Sequence, residues 1–119
     1  MPLRSLTSSV LRWPDGELVV RGARHWARSL GQRRRDVVRV GYFGAYARSD
    51  WGVGSDLDVI VVVETAAQPF ERRGVEWDTT DLPVPIDLLV YTEAEWQSLE
   101  RQGRPARAPW REAVWVYVR

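Results

Sequence analysis

The strongest constraint on this chain lies where two apolar runs of strand length meet a glycine-rich stretch. Val37-Val38-Arg39-Val40-Gly41-Tyr42-Phe43 reads as one strand and Leu57-Asp58-Val59-Ile60-Val61-Val62-Val63 as a second, both rich in β-branched side chains. Between them run Gly44-Ala45-Tyr46-Ala47-Arg48-Ser49-Asp50-Trp51-Gly52-Val53-Gly54-Ser55-Asp56. Alternate side chains of a strand share a face, so Asp56 and Asp58 point the same way as the second run opens. Two carboxylates so placed repel one another. They share a proton or take up a cation, and hard oxygen ligands suit Mg²⁺, which keeps several waters and commonly bridges to substrate phosphates. Gly44 closes the first run, and residues 45–48 are predicted to begin a short helix. Backbone N–H groups at such a turn donate to anions, and a glycine there lets a phosphate come close.

These residues resemble a known family. Gly44-Ala45-Tyr46-Ala47-Arg48 followed by Ser55-Asp56-Leu57-Asp58 is similar to the signature of the DNA polymerase β-type nucleotidyltransferases, in particular the small stand-alone minimal nucleotidyltransferases. That family's pattern is Gly-Ser, a short spacer with arginine, Asp-x-Asp on the second strand and a third carboxylate on a later strand. The resemblance covers roughly residues 37–91 and makes Asp87, within Val84-Pro85-Ile86-Asp87-Leu88-Leu89-Val90, the third acid. It implies that Asp56 and Asp58 ligate two Mg²⁺ ions and that Asp87 binds one of them and orients or deprotonates an attacking hydroxyl. It also implies that Gly44 and the backbone at Ala45 cradle the β- and γ-phosphates of a nucleoside triphosphate, with Arg48 and Ser55 as further nucleotide-binding candidates. Arg48 reads equally as a brace for the acidic strand. Two positions depart from the pattern: Ala45 stands where the family has serine, and Ser49 where a glycine follows the arginine. A hydrogen bond to a charged group contributes about 1.5–3 kcal/mol, so the missing hydroxyl weakens nucleotide handling while leaving the metal ligands in place.

Each acid alone has an ordinary reading: Asp56 as a cap on the strand, Asp58 as a partner of Arg48, Asp87 as an edge charge. Together they do not. An acid inside each of two apolar strands is costly to bury unless something compensates, and a shared cation does so.

Composition bounds the remaining classes. A chain of 119 residues with 45% hydrophobic and 28% charged residues is expected to form one soluble domain, spanning 1–119, around a single core. No apolar run approaches the roughly 20 residues that span a bilayer, and Met1-Pro2-Leu3-Arg4-Ser5 carries no signal-peptide core, so the cytoplasm is the expected compartment. With no cysteine and one histidine, thiolate chemistry is excluded and zinc chemistry disfavoured. The 17 basic residues are all arginine, and the net charge of +1 argues against a general nucleic-acid coat.

Elsewhere, Leu3, Leu6 and Val10 recur at helical spacing before a turn at Trp13-Pro14-Asp15-Gly16. An amphipathic helix is predicted over 17–34, with Val19, Ala23, Trp26 and Leu30 on its buried face and Arg21, Arg24 and Arg28 on a solvated one; His25, beside that stripe, reads as a surface residue. Pro69 opens a segment that reads as a short irregular helix interrupted by Gly74, with an extended course as the alternative. Thr92 and Glu95 form a capping box, with Tyr91 and Trp96 as its hydrophobic staple, for a helix over 93–102 that stops at Gly103. Residues 104–109 read as a linker and 113–118 as a last strand. The expected architecture is therefore α/β (α+β): a small mixed sheet of four to five strands with helices packed mainly on one face, as in the nucleotidyltransferase fold. Trp51, beside the glycines, is a candidate to stack on a base.

The resemblance implies transfer of a nucleoside monophosphate, AMP from ATP, onto a hydroxyl, with a HEPN-domain toxin as the partner that this chain would restrain as antitoxin. The hydroxyl could belong to a protein, an RNA or a small molecule; RNA stays open as an acceptor but is not indicated. A different class of function is also open: a degenerate transferase, Ala45 marking its decay, that neutralises a partner by contact alone.

Overall fold

The computed structural model describes residues 15–52, 54–102 and 109–119, so the helical spacing at Leu3, Leu6 and Val10, Trp13 and Pro14 of the first turn, the stop at Gly103 and the linker up to residue 108 lie outside the described residues. The first described helix, α1, runs Gly16–Arg33. Asp15 caps it by accepting a hydrogen bond from the Leu18 N–H at 2.9 Å, and Glu17 places a negative charge in the first turn, where the helix dipole favours it. Beyond Gly16 at its start, Val19, Ala23, Trp26, Ala27 and Leu30 are the buried positions, on the predicted face; His25 and the arginine stripe are exposed.

The sheet is built from β1 (Val37–Phe43), β2 (Leu57–Val63), β3 (Ile86–Thr92) and β4 (Val114–Val118), in the spatial order β3-β2-β1-β4. β1 runs antiparallel to both β2 and β4, whereas β2 and β3 are parallel. A short helix, α2 (Ala45–Arg48), follows β1 as the glycine turn predicts. The expected third strand at residues 84–90 instead begins at Ile86 and reaches Thr92. Pro83 and Pro85 have no N–H for the ladder, so pairing starts after them, although the Pro85 carbonyl still accepts from Leu57 N–H at 2.9 Å.

β2 is one of the two inner strands, and its alternation divides the core. Leu57, Val59, Val61 and Val63 pack against α1 with Val40, Tyr42 and Trp26. Ile60 and Val62 face the other way, onto Trp96 of α3 (Glu93–Gln102), together with Phe43, Leu99 and Trp115. Burial of each such side chain stabilises the fold by about 1.5–3 kcal/mol. The mixed four-stranded sheet is as expected. Its cover, anticipated mainly on one face, is split: α1 takes one face and α3 the opposite one, because Trp96 and Leu99 supply an apolar stripe that the outer side of Ile60 and Val62 requires.

The junction of β3 and α3 is the capping box in both directions. Glu95 N–H donates to Thr92 Oγ1 at 3.2 Å, Thr92 N–H donates to Glu95 Oε1 at 2.8 Å, and Tyr91 meets Trp96 edge-on at 5.4 Å. Pro69 precedes a 3₁₀ segment, Phe70–Glu76, whose Arg73 side chain is only 9% exposed. That guanidinium binds Glu95 at 2.6 Å and 3.2 Å and the carbonyls of Gln68 and Val90 at 2.8 Å and 3.1 Å. Near the C-terminus, Pro109 belongs to a short helix, α4 (Pro109–Glu112), rather than to a linker. Proline is at home in a first helical turn, where its missing N–H has no partner to lose. No helix among the described residues is long and apolar enough to cross a membrane.

Candidate active site

Three elements place the acids. Asp58 is the second residue of β2 and pairs with Phe43, the last of β1, so it stands beside the exit of β1 into Gly44. On its other side the parallel ladder pairs Asp58 with Asp87. Partners in register point to the same face, here the face that carries Ile60 and Val62 further along β2. Asp56 lies two residues before Asp58, in the loop leading into the strand, and is exposed, as is Asp87; Asp58 is half-buried.

The electrostatics agree with this crowding. Burial pushes the Asp58 carboxyl above the usual carboxylate range, and the neighbouring charges of Asp87, then Asp56, push it further the same way; Arg48 pulls against them and Glu112 adds to them. Negative charge is therefore in surplus around Asp58. Among the described residues no group of three or more His, Asp or Glu side chains is arranged so that it could hold a metal ion on its own. That is compatible with Mg²⁺, which is ordinarily held by one or two carboxylates completed by water and substrate phosphates.

Gly44 is required twice over. Its φ of 75° and ψ of −147° lie where side chains are rarely tolerated, and a Cβ there would run into the Asp58 carboxylate. The Gly44 N–H donates to Glu112 Oε2 at 3.2 Å. Arg48, at the end of α2, donates from Nη1 to both carboxylate oxygens of Glu112 at 3.1 Å and from Nε to Asp50 at 3.1 Å. These contacts hold its guanidinium more firmly protonated than usual, Asp50 first and Glu112 second. Arg48 thus braces Glu112 and Asp50, while its influence on Asp58 acts through space.

The other candidates are placed as follows. Ala45 opens α2, its carbonyl accepting from Asp50 N–H at 3.0 Å. The Ser55 hydroxyl accepts from Gly52 N–H at 2.8 Å and its own N–H donates to the Gly52 carbonyl at 3.0 Å, closing the loop that delivers Asp56. Trp51 lies parallel to Tyr46 at 5.8 Å between ring centres and rests on Gly16 at the start of α1. It is packed against the α1 side of the sheet rather than poised over the acids. An open cleft of about 610 Å³ beside Trp51, lined by Arg21, Arg24 and Tyr42, lies on that same side, away from Asp58. A second groove, of about 450 Å³, follows the outer edge of β3 and has Asp87 in its wall.

Glu112 is the residue that sequence reasoning missed. Nothing local marks it. Only the antiparallel pairing of β4 with β1, Val114 opposite Tyr42, brings the residues just before β4 to the exit of β1.

With this geometry in hand, comparison with known proteins shows that residues 25–107 match the model of a family described as nucleotidyltransferase domain. Among solved structures, the chain is similar to a candidate nucleotidyltransferase from Sulfolobus solfataricus, with a TM-score of 0.62 and 17% identity over 87% of this chain and 84% of that one. At that identity the likeness is one of fold. No protein of curated function matches.

Proposed function

From the premise that the chain belongs to the nucleotidyltransferase domain family, we propose that Asp56, Asp58 and Asp87 are its catalytic carboxylates and that it transfers AMP from ATP to a hydroxyl acceptor. The observation that carries this reading is the pairing of Asp58 with Asp87 on one face of the sheet, beside a glycine whose backbone the Asp58 carboxylate touches. Carboxylates that only stabilise a fold are set beside cations, whereas these are set beside each other.

Two Mg²⁺ ions held by Asp56, Asp58 and Asp87 would neutralise the phosphates and steady the attacking and leaving oxygens. The chain's own groups do the rest. Gly44 N–H and Arg48 receive the β- and γ-phosphate oxygens, with the Ala45 backbone beside them, and Ser55 holds the loop that presents Asp56. Asp87 takes the proton of the acceptor hydroxyl as its oxygen bonds to the α-phosphorus; the bond from that phosphorus to the bridging oxygen breaks, and pyrophosphate leaves. The groove along β3 gives the acceptor a route to Asp87. A HEPN-domain toxin is the acceptor and partner in this reading, in the cytoplasm, where Mg²⁺ and ATP are supplied together, and the chain is its antitoxin.

A second reading, that the domain neutralises its partner by contact alone, draws on Ala45 and on the Glu112 carboxylate seated between Gly44 and Arg48. One experiment separates the two. The protein is mixed with Mg²⁺, ATP labelled at the α-phosphate and the HEPN protein, beside Asp58→Asn. Transfer is expected to fall by about a thousandfold in the variant. Label transfer that persists refutes the assigned role of Asp58, and toxin neutralisation that persists without transfer selects the contact mechanism.

A further inference from the structure

Glu112 sits where an anion would be received. Its Oε2 accepts the Gly44 N–H, both its oxygens accept Arg48 Nη1, and its side chain is 11% exposed. A carboxylate here has an electrostatic cost, since Asp58 already has Asp56 and Asp87 for neighbours and Glu112 adds to the same negative field. Glu112 is not required to orient Arg48, because Asp50 already binds its Nε at 3.1 Å from the neighbouring turn. What Glu112 does satisfy is one backbone donor and one guanidinium edge, the pair of donors that a phosphate oxygen would otherwise engage.

We propose that Glu112 is an internal stand-in for substrate phosphate, which keeps the Gly44 and Arg48 donors occupied until a triphosphate displaces it. The inference rests on the reading of Gly44 and Arg48 as the phosphate seat. One seat then serves two anions. The arriving polyphosphate has the advantage that its cations neutralise Asp56, Asp58 and Asp87, while Glu112 brings only further negative charge. Glu112 lowers apparent affinity by the fraction of time the seat stands open; if that fraction is about a tenth, its removal tightens binding about tenfold.

The test is equilibrium binding of two probes, tripolyphosphate without metal and ATP with Mg²⁺, to wild type, Glu112→Ala, Glu112→Gln and Arg48→Ala, with thermal melts to confirm folding. Glu112→Ala is expected to bind tripolyphosphate about tenfold more tightly than wild type. Glu112→Gln, which keeps the shape and an accepting oxygen but not the charge, should fall between them, and Arg48→Ala should bind more weakly than any. Equal or weaker binding by both Glu112 variants overturns the inference; if wild type still binds ATP with Mg²⁺, and Arg48→Ala does not, the assignment of the seat survives that failure. Absence of binding to wild type and to every variant overturns both.

Discussion

Two clusters of charge on this molecule are built on opposite principles. Around Arg73 every charge is answered: the guanidinium meets Glu95 at two positions and two backbone carbonyls, and Glu95 also serves the capping box. Arg73 lowers the Glu95 carboxyl below its usual range, and the Thr92 backbone N–H adds to that. Around Asp58 burial and like neighbours raise the carboxyl instead. The first cluster favours its ionised state and ties the 3₁₀ segment to β3 and α3. In the second, the folded chain resists the ionised state that the proposed chemistry needs. That surplus of negative charge is what the proposed function assigns to bound cations.

The contrast can be broken from either side. The largest effect is expected at Arg73→Met, which leaves Glu95 without its counter-ion and the Gln68 and Val90 carbonyls without their donor. Stability should fall by about 2 kcal/mol, below the roughly 3–5 kcal/mol of a fully buried pair because Glu95 keeps some solvent, and the melting temperature by about 8 °C. Unchanged melting would mean that the paired cluster carries no load. Thr92→Ala removes the hydroxyl that accepts Glu95 N–H and should cost about 1 kcal/mol, read as a drop of about 4 °C. The smallest effect has the opposite sign. Asp58→Asn should melt about 2 °C higher than wild type at neutral pH while transfer is lost.

The pH dependence sharpens the same comparison. Glu95 has a lowered pKa in the folded state, so its contribution is present above the unfolded carboxylate value and fades as the pH falls through its folded value. Asp58 has a raised one, so the folded state holds the proton more tightly, and stability is lost as the pH climbs from the ordinary aspartate value through the raised one. Melting curves of wild type and Asp58→Asn should converge toward acid and separate toward neutrality. Separation in the acid direction would contradict the crowding of carboxylates around Asp58.

How much of this was legible in the sequence follows from how local each signal is. Helical spacing identified the buried face of α1, and the capping box at Thr92 and Glu95 appears as written, whereas the alternation argument for Asp56 and Asp58 reaches only Asp58, since Asp56 precedes the strand. Each of these is settled within a few residues. The pairing of Asp58 with Asp87 came only through the family resemblance, because parallel strands joined by a long connection leave no local trace of their register. The split of helices over two faces, and the arrival of Glu112 at Gly44, depend on which strands become neighbours, and no periodicity encodes that. For Trp51 the sequence left base stacking and plain packing both open; its bed is Tyr46, five residues away, and Gly16, which only the fold brings to it.

The shared rung that joins β2 to β3 has a consequence for how this domain can vary. Because backbone hydrogen bonds, not side-chain packing, set the separation of Asp58 and Asp87, the polypeptide between the two strands is free to lengthen or shorten without disturbing their spacing. A shift of one residue within either strand is another matter: it would turn one carboxylate to the reverse of the sheet and dismantle the pair at a stroke.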